Sequence, residues 1–139
     1  MATEAVQIRD GSMVAGANYS NGAGLSGPGG SGQYLVVNAS TVADRTVVLS
    51  TTIGMQVYGI LQNKPTSGAA ADVCLFGISK VVSGGTITRG SQLMVNASGQ
   101  LVTWTAGSGY AQVAIAIESG VSGQIISVFY DGTSSKVLT

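Results

Sequence analysis

Residues 33–40 read QYLVVNAS, and residues 91–98 read SQLMVNAS. The likeness runs on in order. Gln56-Val57 opens the apolar run QVYGIL, and Gln112-Val113 opens QVAIAI. Ser67-Gly68 leads into ADVCLFG, and Ser122-Gly123 leads into IISVFYDG. The offset drifts from 58 to 56 to 55 residues, so the second copy is slightly the shorter. A chain built twice from one strand-rich unit has few ways to fold. The period is too long, and the copies too few, for a solenoid. The expected fold is all-β, a small barrel or sandwich of two similar β units, spanning residues 33–77 and 91–132. Asn38 and Asn96 are expected at equivalent turns.

The pattern from Gln33 onward supports this. Runs rich in Val, Ile, Thr and aromatic residues cover 33–38, 45–50, 55–62, 72–82, 91–96, 100–105, 111–118 and 124–131. Such residues fit a pleated, half-buried surface. Gly54, residues 64–68, 83–85, 97–99, 107–109 and 119–123 separate them as turns. Eight short strands at this spacing argue for a closed or stacked all-β domain. No stretch shows a capped helical period. In 113–117, Val113, Ile115 and Ile117 are expected to face the core, while Ala114 and Ala116 admit a close neighbour. In 124–130, both faces are apolar, so both are expected to be covered.

Residues 1–32 differ in kind. MVAGANYSNGAGLSGPGGSG offers too little apolar surface to offset its ordering entropy. It reads as a flexible N-terminal arm, with Val6, Ile8, Arg9, Met13, Tyr19 and Leu25 as partner-binding positions. The first dozen residues suit a short strand against a partner. About 20 tether residues then reach on the order of 25 Å. On this reading the domain over 33–132 folds without the arm, and 133–139 is a short tail.

Chemistry is sparse. The 139 residues contain no histidine and one cysteine, Cys74, within VCLF. Histidine-based nucleophilic systems and His or thiolate zinc sites are thereby excluded. Cys74 reads as a buried apolar thiol. The six acids are dispersed, without calcium-loop or paired-carboxylate spacing. Gly22-Ala23-Gly24-Leu25-Ser26-Gly27 satisfies G-x-G-x-x-G, but Pro28-Gly29-Gly30 cannot open the helix a dinucleotide site needs. No enzymatic activity and no cofactor are expected.

Only 9% of residues are charged, and six basic residues balance six acidic ones. About 25% is usual. No basic stripe marks a nucleic-acid partner, and the apolar stretch VAIAI is too short to span a bilayer. MATEAVQIRDG has no apolar run typical of a signal peptide. Asn18, Asn38 and Asn96 open Asn-x-Ser triplets that read as turns. Low net charge promotes association, so Tyr58, Trp104, Tyr110, Phe129 and Tyr130 are candidates for a subunit interface, where aromatics are enriched. Trp104 and Tyr110 also flank one Gly-rich turn. An alternative reading makes them a small stacking patch for carbohydrate.

The stretch from Val57 to Gly132 carries a resemblance. Val57-Tyr58-Gly59-Ile60-Leu61, Gly77-Ile78, Gly84-Gly85-Thr86-Ile87-Thr88-Arg89-Gly90, Asn96-Ala97-Ser98-Gly99-Gln100-Leu101-Val102, Ala114 to Glu118 and Gly123-Gln124-Ile125-Ile126-Ser127-Val128 follow in order. Together they resemble tailed-phage head decoration proteins, or capsid cement proteins. That family tends to read V-G-I-A, G-x-I-T-x-G-x-x-L, x-x-G-x-V and A-x-A-x-x-x-x-x-x-G-x-x-I-x-V. The match covers a little over half the chain and consists of strand and turn grammar. Ala114-Ile115-Ala116-Ile117 departs from the family's usual Val-Gly-Ile-Ala. The resemblance implies a virion protein made in the bacterial cytoplasm. It implies homotrimers on the outer capsid surface, an arm across the major capsid protein, and a clamp on neighbouring capsomers. A tail- or fibre-associated β module is the nearest alternative.

Overall fold

The structure, a computed structural model, describes residues 6–106, 109–131 and 136–137. Eleven strands follow in chain order: β1 (Gln7–Ala15), β2 (Val36–Ala39), β3 (Thr46–Leu49), β4 (Gly59–Leu61), β5 (Ala70–Val82), β6 (Gln92–Val95), β7 (Leu101–Thr103), β8 (Ala111–Gln112), β9 (Ala114–Ala116), β10 (Ile125–Tyr130) and β11 (Lys136–Val137). One 3-10 turn spans Pro28–Gly30. The expected all-β class is the observed one.

Nine strands form one mixed sheet in the order β1-β3-β2-β4-β5-β10-β9-β6-β7, and β8 pairs with β11 apart from it. Two pairings bend this sheet into two rings. β1 runs parallel to β3, through Val14↔Thr46 and Ala15↔Val47, and antiparallel to the first half of β5. That closes β1-β3-β2-β4-β5. Beyond β5, Ser83 bridges Leu101 in parallel, and the Gly84 N–H donates to Leu101 O at 2.8 Å. That closes β5-β10-β9-β6-β7. Ring closure leaves few unpaired strand edges, the feature that makes small sheets prone to aggregate. The thirteen-residue β5 belongs to both rings.

The rings bear out two copies of one unit. Each has a single parallel seam and antiparallel neighbours elsewhere. Val37 pairs with Leu49 in the first, and Val95 with Leu101 in the second. The interiors match at several positions. Val37, Ala71 and Val73 are inside the first ring's cluster, and Val95, Ile126 and Val128 inside the second's. The unit boundaries differ from 33–77 and 91–132, because each ring is completed by a strand upstream of them. Asn38 is within β2, whereas Asn96 opens a turn, accepting the N–H groups of Ser98 and Gln100 at 2.9 and 3.0 Å. Asn18 likewise accepts from the Ser20 N–H at 3.1 Å. The turn reading therefore holds for Asn18 and Asn96 and fails for Asn38, whose strand runs on into a longer hairpin.

The largest correction concerns residues 1–32. From Gln7 they are not a free tether. β1 pairs with β5 from Gln7↔Gly77 to Val14↔Ala70. Met13, Ala15 and Tyr19 lie in the first ring's core, with Leu25 packed against it. Ring closure supplies partners for the β1 backbone, and that outweighs the low apolar content of the segment. Residues 1–5 lie outside the described residues. So do 107–108 of one turn, Gly132, and most of the 133–139 tail, of which Lys136–Val137 pairs with Ala111–Gln112.

A second correction concerns phase. Val113 is buried, but so are Ala114 and Ala116, while Ile115 and Ile117 are exposed. Val113 interrupts the strand between β8 and β9, and the break inverts the alternation. Small residues then face the narrow interior opposite large ones, with Ala114 across from Tyr130 and Ala116 across from Val128. The isoleucines are turned outward.

Candidate interaction surface

The polar side chains that sequence reading singled out are engaged within the fold. Arg9 pairs with Asp72 at 2.8 Å across β1 and β5. Tyr19 is 5% exposed, and its hydroxyl accepts the Leu49 N–H at 2.9 Å. The Tyr58 hydroxyl donates to Asp10 Oδ2 at 2.7 Å. Asp10 also accepts the hydroxyl of Ser12 at 2.6 Å and its N–H at 2.8 Å. The Ser12 and Tyr58 hydroxyls lower the Asp10 pKa to about 2. Burial and then the Asp10 bond raise that of Tyr58 to about 12. Glu118 accepts the Ser127 N–H at 2.8 Å, and this bond lowers its carboxyl pKa.

The aromatic candidates divide. The Trp104 indole N–H donates to Tyr110 O at 2.8 Å and ties both ends of their turn together. A Cβ at Gly54, where φ is +70°, would meet the Tyr110 ring. Both aromatics are half-buried. Tyr130, expected at an interface, is fully buried in the core, opposite Ala114. Its hydroxyl has no hydrogen-bond partner among the described residues, and burial raises its pKa. Met13 and Tyr19 are core residues as well, so they are not partner-binding positions of an arm.

Val6, Ile8 and Phe129 remain at the surface, and they belong to one apolar row. Ile8 pairs with Phe76, Phe129 with Ile78, and Phe129 again with Ile115. Directly paired residues share a face. Phe76 and Phe129 meet edge to face, with ring centroids 5.2 Å apart. Ile117 continues the row two residues beyond Ile115. Val6, Ile8, Phe76, Ile115 and Ile117 are 40% to 79% exposed. The row crosses β1, β5, β10 and β9, the place where the two rings join. Gly77 makes the junction possible. It is flanked by Gln7 and Tyr130, its φ is +124°, and a Cβ there would meet Val6 O. Sequence reading found Val6, Ile8 and Phe129 but gave them to two different surfaces. Phe76, Ile78, Ile115 and Ile117 were missed, the last two through the inverted phase.

Elsewhere, a depression of about 400 Å³ is lined by Asn38, Ala39, Met55, Gln56, Val57 and Tyr58. It holds no charged side chain. Among the described residues no three acidic or cysteine side chains gather as a metal site. None of the described helices is long and apolar enough to cross a membrane.

No protein-family model and no curated protein matches the chain. The fold has a solved counterpart. It is similar to the crystal structure of the N base of head fibre gp8.5 of bacteriophage phi29, with a TM-score of 0.64 at 16% sequence identity. The likeness covers 96% of this chain and 98% of that one. At that identity, what is shared is the fold.

Proposed function

We propose that this protein is a non-enzymatic structural component of a phage head. It binds the outer surface of the shell as a decoration or cement subunit and clamps neighbouring capsomers of the major capsid protein. The observation that carries this reading is the nearly complete two-way overlap with a head-fibre base. The decoration-family resemblance over Val57 to Gly132 points the same way. The architecture suits the role. Closed rings leave few unpaired strand edges, and a surface with few charges suits permanent contact with protein better than steering of a charged ligand. Several copies on one shell would add their weak contacts through effective concentration.

The same overlap favours a second reading, in which the domain is the base of a longer head appendage. Both readings place it on the head. The test is co-sedimentation of the purified protein with expanded empty heads built from the major capsid protein of the same phage. Saturable binding at a fixed ratio per capsomer is expected. Failure to bind, with folded protein and intact heads, would remove both readings.

A further inference from the structure

We propose that Asn21, in the loop between β1 and β2, is a covalent modification site, where water replaces the side-chain amide by way of a cyclic imide with Gly22. Asn21-Gly22 is the one Asn-Gly pair in the chain. Of the five asparagines, four are held by their carboxamides. Asn18 accepts the Ser20 N–H, and Asn96 accepts the N–H groups of Ser98 and Gln100. Asn38 donates to Ser50 and Met55, and Asn63 joins Ala70 to Asp72. Asn21 is exposed at a bend, and its carboxamide makes no hydrogen bond among the described residues. A carboxamide bonded elsewhere is held off its own main chain, whereas a free one can turn onto it.

The reacting atom is the main-chain nitrogen of Gly22. It loses its proton to hydroxide and attacks Cγ of Asn21. The imide ring closes, the bond from Cγ to the side-chain nitrogen breaks, and that nitrogen leaves as ammonia. Water then opens the ring at either carbonyl. One opening gives aspartate, and the other gives isoaspartate, whose main chain runs through the side-chain carbon. Water is the reagent consumed, and nothing is oxidised or reduced. Gly22 has no Cβ to hinder the approach. The fold sets the rate. The Gly22 N–H donates to Gly30 O at 3.0 Å, so the nucleophile is engaged in the closed loop and is freed when the loop opens locally. The loop is pinned at its ends, where the Gly32 N–H donates at 2.8 Å to the carbonyl of the buried Tyr19. The change is therefore confined to the loop and leaves the first ring closed. It adds negative charge to a chain whose formal net charge is zero. The proposal stands independently of the head-binding reading.

Incubation of the full chain in mildly alkaline buffer tests it, followed over time by peptide mass mapping and by enzymatic methylation of isoaspartate. In the folded chain Asn21 is expected to convert before any other asparagine, to a mixture of isoaspartate and aspartate, while thermal melting stays cooperative. Urea should speed the conversion severalfold, because unfolding frees the Gly22 N–H from Gly30. Gly22→Ala should slow it severalfold. Gly22 does not use the left-handed backbone region, and the nearest atom to an added Cβ is Leu25 Cδ1 at 3.4 Å, an ordinary contact, so this variant folds. A melting curve checks that. Conversion of Gly22→Ala at the wild-type rate would overturn the proposal, and so would another asparagine reacting first. Aspartate without isoaspartate would overturn it too, since direct hydrolysis passes through no imide. An Asn21 that stays intact in native buffer, whatever happens in urea, would show that the folded protein has no such site. Equal rates in urea and in native buffer would overturn the control assigned to the Gly30 bond.

Discussion

Tyr58 shows how a single side chain can mislead when its partner lies far away in sequence. Its aromatic ring marked it as an interface residue, but its hydroxyl donates to Asp10, 48 residues upstream. Nothing in QVYGIL encodes that bond, because the closing of β1 onto the first ring creates it. The bond has a pH signature. The folded-state pKa of Asp10 is depressed from the ordinary 3.8 to about 2. Its stabilising contribution is therefore complete above pH 3.8 and is lost as pH falls toward 2. For Tyr58 the folded value is raised from 10.0 to about 12, so its contribution holds below pH 10 and is lost as pH climbs through 12. Tyr58→Phe should lift the Asp10 pKa toward its ordinary value and cost on the order of 1 kcal/mol at neutral pH, the lower range for a bond to a charged group near solvent. An NMR titration of the Asp10 carboxyl reads the shift. An unmoved titration in the variant would show that Ser12 alone holds the carboxylate.

At the scale of the element, the strands from Gln33 to Tyr130 were legible because β-branched runs and glycine turns are local signals. β1 was not. QIRDGSMVA mixes a glycine with two charges, and its buried positions cluster at one end. It is a strand because its backbone is needed by β3 and β5, and a pairing of that kind leaves little trace in composition. The phase of β9 was misread for a related reason. Alternation was extrapolated through Val113, where the chain breaks step, and the isoleucines were placed inside when they lie outside. The recovery of β1 reverses one expectation about stability. Removing residues 1–32 should not leave a folded domain, because it opens the first ring and strips Met13, Ala15 and Tyr19 from its core. The truncated chain should lose its cooperative thermal transition by circular dichroism. Met13→Ala is a milder version, expected to cost about 2–4 kcal/mol as a large-to-small core change. A truncation that melts like the full chain would mean the second ring carries the stability alone.

At the scale of the molecule, the duplication was the legible part. Matched landmarks at offsets of 58, 56 and 55 residues suggested two similar β units, and the structure shows them as two rings with one parallel seam each. The sharing of β5 was not legible, since a strand common to two units looks like one strand in either copy. At the junction Ile8, Phe76, Ile78, Phe129 and Ile115 form a continuous apolar row, while the polar groups of Arg9, Tyr19 and Tyr58 are occupied within the fold. Contacts of the whole molecule should therefore be set by shape and apolar burial, with little from charge. Only 9% of residues are charged and the formal net charge is zero. Salt at about 1 M shortens the Debye length to about 3 Å and screens exposed charge pairs. The proposed binding to heads should consequently change by no more than about threefold between dilute buffer and 1 M sodium chloride. Cooling should weaken it, because apolar burial loses strength at low temperature. Isothermal titration across salt and temperature makes the comparison, and the expected mark is a negative heat-capacity change with a nearly flat salt dependence. A steep loss of affinity with salt would place the contacts on Lys80, Glu118 and the few other charged residues. The apolar row would then be a bystander in the assembly of this protein.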